Sequence, residues 1–201
     1  VTVLLTTLGE NGKVHGQTFS REETASIRKL EFESAAHELG VHALISDPVF
    51  TDSDLNADQH DLNRVVSQIV RDGEYDVIVS FAPGERTYRF DHMDHHAVSE
   101  AALMASETAD MASVFPSLSV KPLPYRPAFL GWTTNPDIGA AHQMSQVPLS
   151  EASRNNRTEF LARHYASQFS ESAKNTWAPI FDWITRGEPN NSHRQLLFRI
   201  R

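Results

Sequence analysis

The chain has 201 residues, a formal net charge of -8 at neutral pH, ten histidines and no cysteine. That length suits one domain, residues 1–201, with a substantial core. The acidic balance argues against nucleic acid as a partner. Without cysteine, neither a disulfide scaffold nor a thiolate zinc cluster can form; this fits a reducing compartment, and a cytoplasmic protein is the expectation. No apolar run approaches the roughly 18 residues that span a bilayer and no signal peptide is visible, so no membrane association is expected. Residues 1–153 hold 10 Lys/Arg against 22 Asp/Glu, and 154–201 hold 8 against 4. A basic C-terminal helical region packed on an acidic body is the simplest account.

In chain order, Val1 to Thr7 reads as a buried strand already under way, so the expectation is that something precedes it in the full protein. A glycine-punctuated turn follows, Leu8-Gly9-Glu10-Asn11-Gly12-Lys13. Ser20 and Glu23 have capping-box spacing and open a helix with apolar positions Ile27, Leu30, Ala35 and Leu39, which Gly40 stops. A short strand at His42–Ser46 leads to the loop around Asp52. Leu62, Val65, Val66, Ile69 and Val70 then mark a helix with one buried face, ended by Asp72-Gly73. A buried strand at Asp76–Ala82 and a helix from about His95 to Ala109 complete a further unit. Beyond residue 115, Pro116, Pro122, Pro124 and Pro127 limit Val120 and Ala128-Phe129-Leu130 to short or edge strands. Residues 135–148 read as a loop, with helices near 149–168 and 171–186 and a short last strand at 195–200. The alternation of strands and helices predicts an α/β fold with a doubly wound, mostly parallel sheet.

The segment Asp91-His92-Met93-Asp94-His95-His96 puts two carboxylates and three imidazoles within six residues. It lies at the carboxyl end of a predicted strand, where open α/β sheets place ligands and chemistry. Neutral imidazole is a good zinc ligand and a nearby carboxylate can orient it, although a solvated loop capping a helix is an equally simple reading.

Thr7-Leu8-Gly9-Glu10-Asn11-Gly12, Arg28 with Glu31, Asp52-Ser53 and His92-Met93-Asp94-His95 follow one another along these units. In that order they resemble the PIG-L/LmbE-like deacetylases, zinc-dependent hydrolases of N-acetylglucosamine conjugates, over roughly the first 110 residues. Leu161 through Tyr165-Ala166-Ser167-Gln168 also resembles that family's late Ser-Gln helix. The resemblance implies a Rossmann-like sheet whose first strand is missing here, since the family's His-Pro-Asp-Asp motif occurs nowhere in the sequence. That motif supplies two zinc ligands and the general base. The chain as given would therefore hold one of three protein ligands, bind Zn2+ poorly and be inactive alone.

The resemblance also implies roles for individual residues. His95 would be the metal ligand, His92 would act on the oxyanion or the leaving amine, and Asp94 would orient His92. Tyr88, in a loop that could cover the site, would be a further catalytic residue. Arg28 and Asp52 would hold sugar hydroxyls, with Glu10 reaching substrate or closing the glycine turn. Without the resemblance, Arg28 reads as a helix charge paired with Glu31, Asp52 as a turn residue and Asp94 as a helix N-cap. His96 reads as a solvent-facing or packing residue. The implied reaction is metal-assisted hydrolysis of the N-acetyl amide of a small amino-sugar conjugate. Two alternatives stand beside it. One is a metallo-β-lactamase-type hydrolase, although Phe90 stands where that motif needs its first histidine. The other is a non-catalytic module that binds sugar or a partner. A sheet edge left unpaired by a missing strand would also favour a homo-oligomer.

Overall fold

The computed structural model describes residues 1–14, 17–83, 93–133, 143–148, 151–169 and 194–200. Two compact units emerge, Val1–Ser53 with Pro148–Arg194, and Asp54–Val147 with Gln195–Arg201.

In the first unit, β1 (Thr2–Thr7) pairs in parallel with β2 (His42–Phe50), and α1 (Arg21–Leu39) packs on β2. The register slips between Leu5 and Thr7, where the buried Ser46 hydroxyl donates to the Thr6 carbonyl at 3.1 Å. The capping box forms as expected: Ser20 Oγ accepts the Glu23 amide and the Glu23 carboxylate accepts the Ser20 amide. Gly40 ends α1 at φ 65°, a left-handed conformation that glycine adopts without a Cβ penalty.

The buried face of α1 is the expected one only in part: Ala35 is buried as expected and Ile27 is half-buried. Thr24, Phe32, Ala35 and Ala36 are buried, whereas Leu30 and Leu39 are exposed. Phe32 lies two positions from Leu30, which is about 200° around a helix, so the larger aromatic sets the phase. Leu39 sits in the last turn. The reading of β1 as wholly buried also needs correction, because Val1 and Val3 are exposed.

α4 (Glu151–His164) and the single turn α5 (Ala166–Phe169) divide what was expected as one helix, and both pack on α1. The stripe Glu31, Ser34 and Glu38 of α1 receives them. Glu31 accepts from the Ser167 amide and hydroxyl, Ser34 meets the buried His164 ring, and Glu38 takes both His164 and Arg163. The Arg163–Glu38 pair is thus one point where the basic C-terminal region meets the acidic body.

The second unit holds a sheet of order β3-β4-β6-β5. Its strands are β3 (Val77–Phe81), β4 (Ala128–Thr133), β5 (Gln143–Pro148) and β6 (Arg194–Ile200). β4 runs parallel to β3 and antiparallel to β6. It is therefore an interior strand, not an edge. Pro122, Pro124 and Pro127 all precede it, so none removes a donor from its ladder. β5 falls within the expected 135–148 loop. β3 is covered on one side only, with Val77 and Val79 exposed, which corrects its reading as a fully buried strand. The helix expected at 171–186 lies outside the described residues.

After the 3-10 turn Leu55–Asp58 comes α2 (Gln59–Asp72), which buries Leu62, Val65, Val66 and Val70 against α3 (Met93–Thr108). The inner face of α3 is small: Ala97, Ala101, Ala102 and Ala105 are buried beside Ser99 and Ser106. Small side chains let the helix approach closely, and both serines satisfy carbonyls there. Ser99 donates to Phe81 and Ser106 to Pro127, each at 2.7 Å. Gly131 is equally constrained, since a Cβ there would lie 2.9 Å from Ala82 Cα.

Arg71 closes this unit. Its buried Nη2 donates to the carbonyls of Thr108, Met111 and Val114, at 3.0–3.2 Å, where α3 ends. Thr108 ends α3, where helix C-termini leave carbonyls without intrahelical partners, and Met111 and Val114 lie in the turns just beyond. Arg71→Met keeps much of the volume but removes all three bonds, and should cost about 2–3 kcal/mol. Urea unfolding monitored by circular dichroism would measure this; stability equal to wild type would show that water replaces the guanidinium.

Candidate active site

Within the first unit, the loops after β1 and β2 are tied together. Gly9, at φ 62°, and Gly12 close the turn through a Gly12 amide to Gly9 carbonyl bond of 3.0 Å. Beneath the turn lies the Arg28 guanidinium, whose Nη2 donates to the Lys13 carbonyl at 3.2 Å. A Cβ built on Gly12 would collide with Arg28 Nη2, and one on Gly9 would lie 3.0 Å from Arg28 Cδ. Those two positions are small because an arginine fills the space.

The turn then reaches Asp52. The Asp52 amide donates to Glu10 Oε1 at 2.8 Å, and the Asn11 amide donates to Asp52 Oδ2 at 3.1 Å. Asn11 Nδ2 donates to the Asp52 carbonyl. Arg21 adds an ion pair to Glu10 at 3.4 Å. Burial lowers the Arg28 pKa from its usual value, opposed by the charges of Glu31 and Asp52. The guanidinium nevertheless stays protonated in proteins, so a fixed cation stands within the field of two carboxylates. Three expected substrate residues, Glu10, Arg28 and Asp52, thus come together here. Glu10 serves the inter-loop tie. Arg28 does not hydrogen-bond Glu31, whose carboxylate goes to Ser167.

Within the second unit, Asp94 and His95 occupy the first turn of α3. Asp94 is the second residue of the helix rather than its N-cap, and its buried Oδ1 accepts the Leu55 amide at 3.3 Å. It thereby anchors the 3-10 turn to α3. The His95 ring lies against Phe81, with centroids 4.5 Å apart, and Phe81 makes an edge contact with Trp132. Burial, helped by the charge of neighbouring His96, pushes the His95 pKa from 6.5 to about 4. Its imidazole is therefore neutral at pH 7, the state that binds metal or exchanges hydrogen bonds. His92 and Tyr88 lie outside the described residues.

No three His, Cys, Asp or Glu side chains come together as a metal group among the described residues. A catalytic zinc ion takes three protein ligands, and His95 is one suitable ligand. The described residues do not by themselves fit the ion.

Sequence reasoning missed Asn11 and Phe81. An asparagine in a glycine turn signals only the turn, and a phenylalanine ending a strand signals only core; their partners are distant in sequence.

The fold resembles several solved structures. One is the N,N'-diacetylchitobiose deacetylase of Pyrococcus horikoshii, with TM-score 0.75, 16% identity, and coverage of 99% of this chain and 72% of that one. A deacetylase of teicoplanin biosynthesis matches with TM-score 0.60 and 13% identity, over 98% of this chain and 85% of that one. GalB, the 4-carboxy-2-hydroxymuconate hydratase of Pseudomonas putida KT2440, matches with TM-score 0.59 and 14% identity, over 100% and 83%. At such identities the likeness is one of fold, and the fold carries more than one reaction. No curated protein sequence matches the chain. The family model for GlcNAc-PI de-N-acetylase, by contrast, matches residues 1–106, more than half of the sequence, and the chain belongs to the PIG-L family.

Proposed function

We propose that this protein is a zinc-dependent N-deacetylase that cleaves the N-acetyl amide of a small GlcNAc-containing conjugate, giving acetate and a free amino sugar. The observation that carries this reading is the meeting of Glu10, Arg28 and Asp52 within a chain of the PIG-L family. A sugar presents neutral hydroxyls that donate to carboxylates and accept from guanidinium groups, and the loop cluster offers both kinds of partner.

Amide hydrolysis needs a water activated for attack, which a bound zinc ion and a carboxylate base would supply, and three further services: charge stabilisation at the carbonyl oxygen, a proton for the leaving amine, and correct placement of the acetyl group. We assign the oxyanion or leaving amine to His92, and the orientation of His92 to Asp94. Tyr88, in the same segment, is a further candidate at the carbonyl. His95 is assigned to the metal; its neutral imidazole supports that assignment, because a protonated ring cannot ligate. Arg28 and Asp52 hold the sugar. Cytoplasmic location and association between copies remain part of the proposal. No helix among the described residues is long and apolar enough to cross a membrane.

A second reading, a module that binds an amino sugar without turning it over, rests on the sequence itself, which contains no His-Pro-Asp-Asp motif. Acetate release from a GlcNAc conjugate by the full-length protein with added zinc separates the two. It should be measurable, and should fall about 100-fold or more in His95→Ala. Sugar binding with no release would establish the second reading, and unchanged release by His95→Ala would remove that residue from the metal.

The buried imidazole also makes stability depend on pH. Between about 4 and 6.5 the unfolded chain holds a proton on His95 that the folded chain does not, so stability rises with pH across this window. Thermal melting of metal-free protein at pH 7 and pH 4.5 should show a larger loss for wild type than for His95→Phe. Equal losses would mean that the folded ring titrates normally.

A further inference from the structure

Asp52 is held more completely than a turn residue requires. Its amide, its carbonyl and one carboxylate oxygen are all engaged by residues about forty positions earlier in sequence. Asn11 supplies two of these bonds, one from its backbone and one from its side-chain amide. The next residue, Ser53, sits at φ 67°, a left-handed conformation that costs free energy without glycine. Local strain of this kind persists only where surrounding contacts over-determine it, and such places are commonly functional. The tie is also accessible, since Asn11 is exposed and Asp52 half-buried.

We propose that Asn11 is a positioning residue, whose two bonds fix the direction of the Asp52 carboxylate and thereby set affinity for the hydroxyls of an amino sugar. This rests on the assignment of Asp52 to the sugar made above. The Asn11 amide bonds one carboxylate oxygen, which fixes how the second is aimed. The Nδ2 bond to the Asp52 carbonyl stops that peptide from rotating. Glu10 holds the same residue from its amide side, so rotation about the Asp52 backbone is restrained at both ends. Asn11 touches no part of the acetyl group in this scheme, so its loss should be felt in binding and not in the chemical step.

The test is isothermal titration of N-acetylglucosamine into the full chain, run beside thermal melting. Asp52→Asn should weaken binding about tenfold, because a charge-assisted acceptor is replaced by a neutral amide. Asn11→Ala, which keeps its backbone bond, should weaken binding about fivefold, and Asn11→Gln should recover part of that loss. In the Asp52→Asn background, Asn11→Ala should add little, since both act through one group. In a turnover assay the Asn11→Ala loss should fall on KM with kcat retained. Absence of binding by wild type, or binding unchanged in Asp52→Asn, would overturn the sugar-site assignment and the Asn11 role with it. Weakening in Asp52→Asn with none in Asn11→Ala would overturn the Asn11 role alone, as would a lower melting temperature in Asn11→Ala with affinity unchanged.

Discussion

The Arg28 guanidinium beneath the Gly9–Gly12 turn is the constraint on which the first unit's site depends. A half-buried cation needs acceptors: Nη2 has the Lys13 carbonyl, Glu31 and Asp52 supply a stabilising field, and the buried Nε has no hydrogen-bond partner among the described residues. Arg28 also crowds two glycines of the turn: a Cβ on Gly12 would meet its Nη2, and one on Gly9 would lie 3.0 Å from its Cδ, where φ 62° already favours glycine. With the turn fixed, Glu10 and Asn11 face Asp52 and three hydrogen bonds span two loops. The packing of one helical arginine thus places a set of polar groups suited to a hydroxyl-rich ligand.

The second unit follows a different logic. Asp94 and His95, two of the residues proposed for the chemistry, stand on α3, a helix drawn close to the sheet by alanines and serines and tied at its far end by Arg71. Close packing brings the His95 ring against Phe81, and removal of water there keeps the ring neutral. Asp94, one residue earlier, points its carboxylate at the Leu55 amide. One turn of helix therefore carries both a desolvated base and an anchored acid.

Local signals were the legible part of the sequence. The Ser20–Glu23 capping box, the Gly40 stop and the α2 stripe Leu62, Val65, Val66 and Val70 all form as read, since each depends on neighbours within a turn or two. Long-range facts were not legible. Leu30 and Phe32 stand on opposite faces of α1, and only the packing of the fold decides which face is buried. β4 looks like an edge strand until β6, more than sixty residues later, pairs with it. The motif order disclosed the family and gathered Glu10, Arg28 and Asp52. The part played by Asn11 needed the fold, because its partner lies on another loop.

In the proposed function, the Gly9–Lys13 turn and the Asp52 loop form a sugar site. Nuclear magnetic resonance mapping of backbone amides during titration with N-acetylglucosamine tests it most directly. Saturable shifts are expected at Gly9, Glu10, Asn11, Gly12 and Asp52, with the Arg28 side chain moving alongside. Shifts confined to other surfaces, such as the groove beside Leu39 and Phe160, or none at saturating sugar, would contradict it.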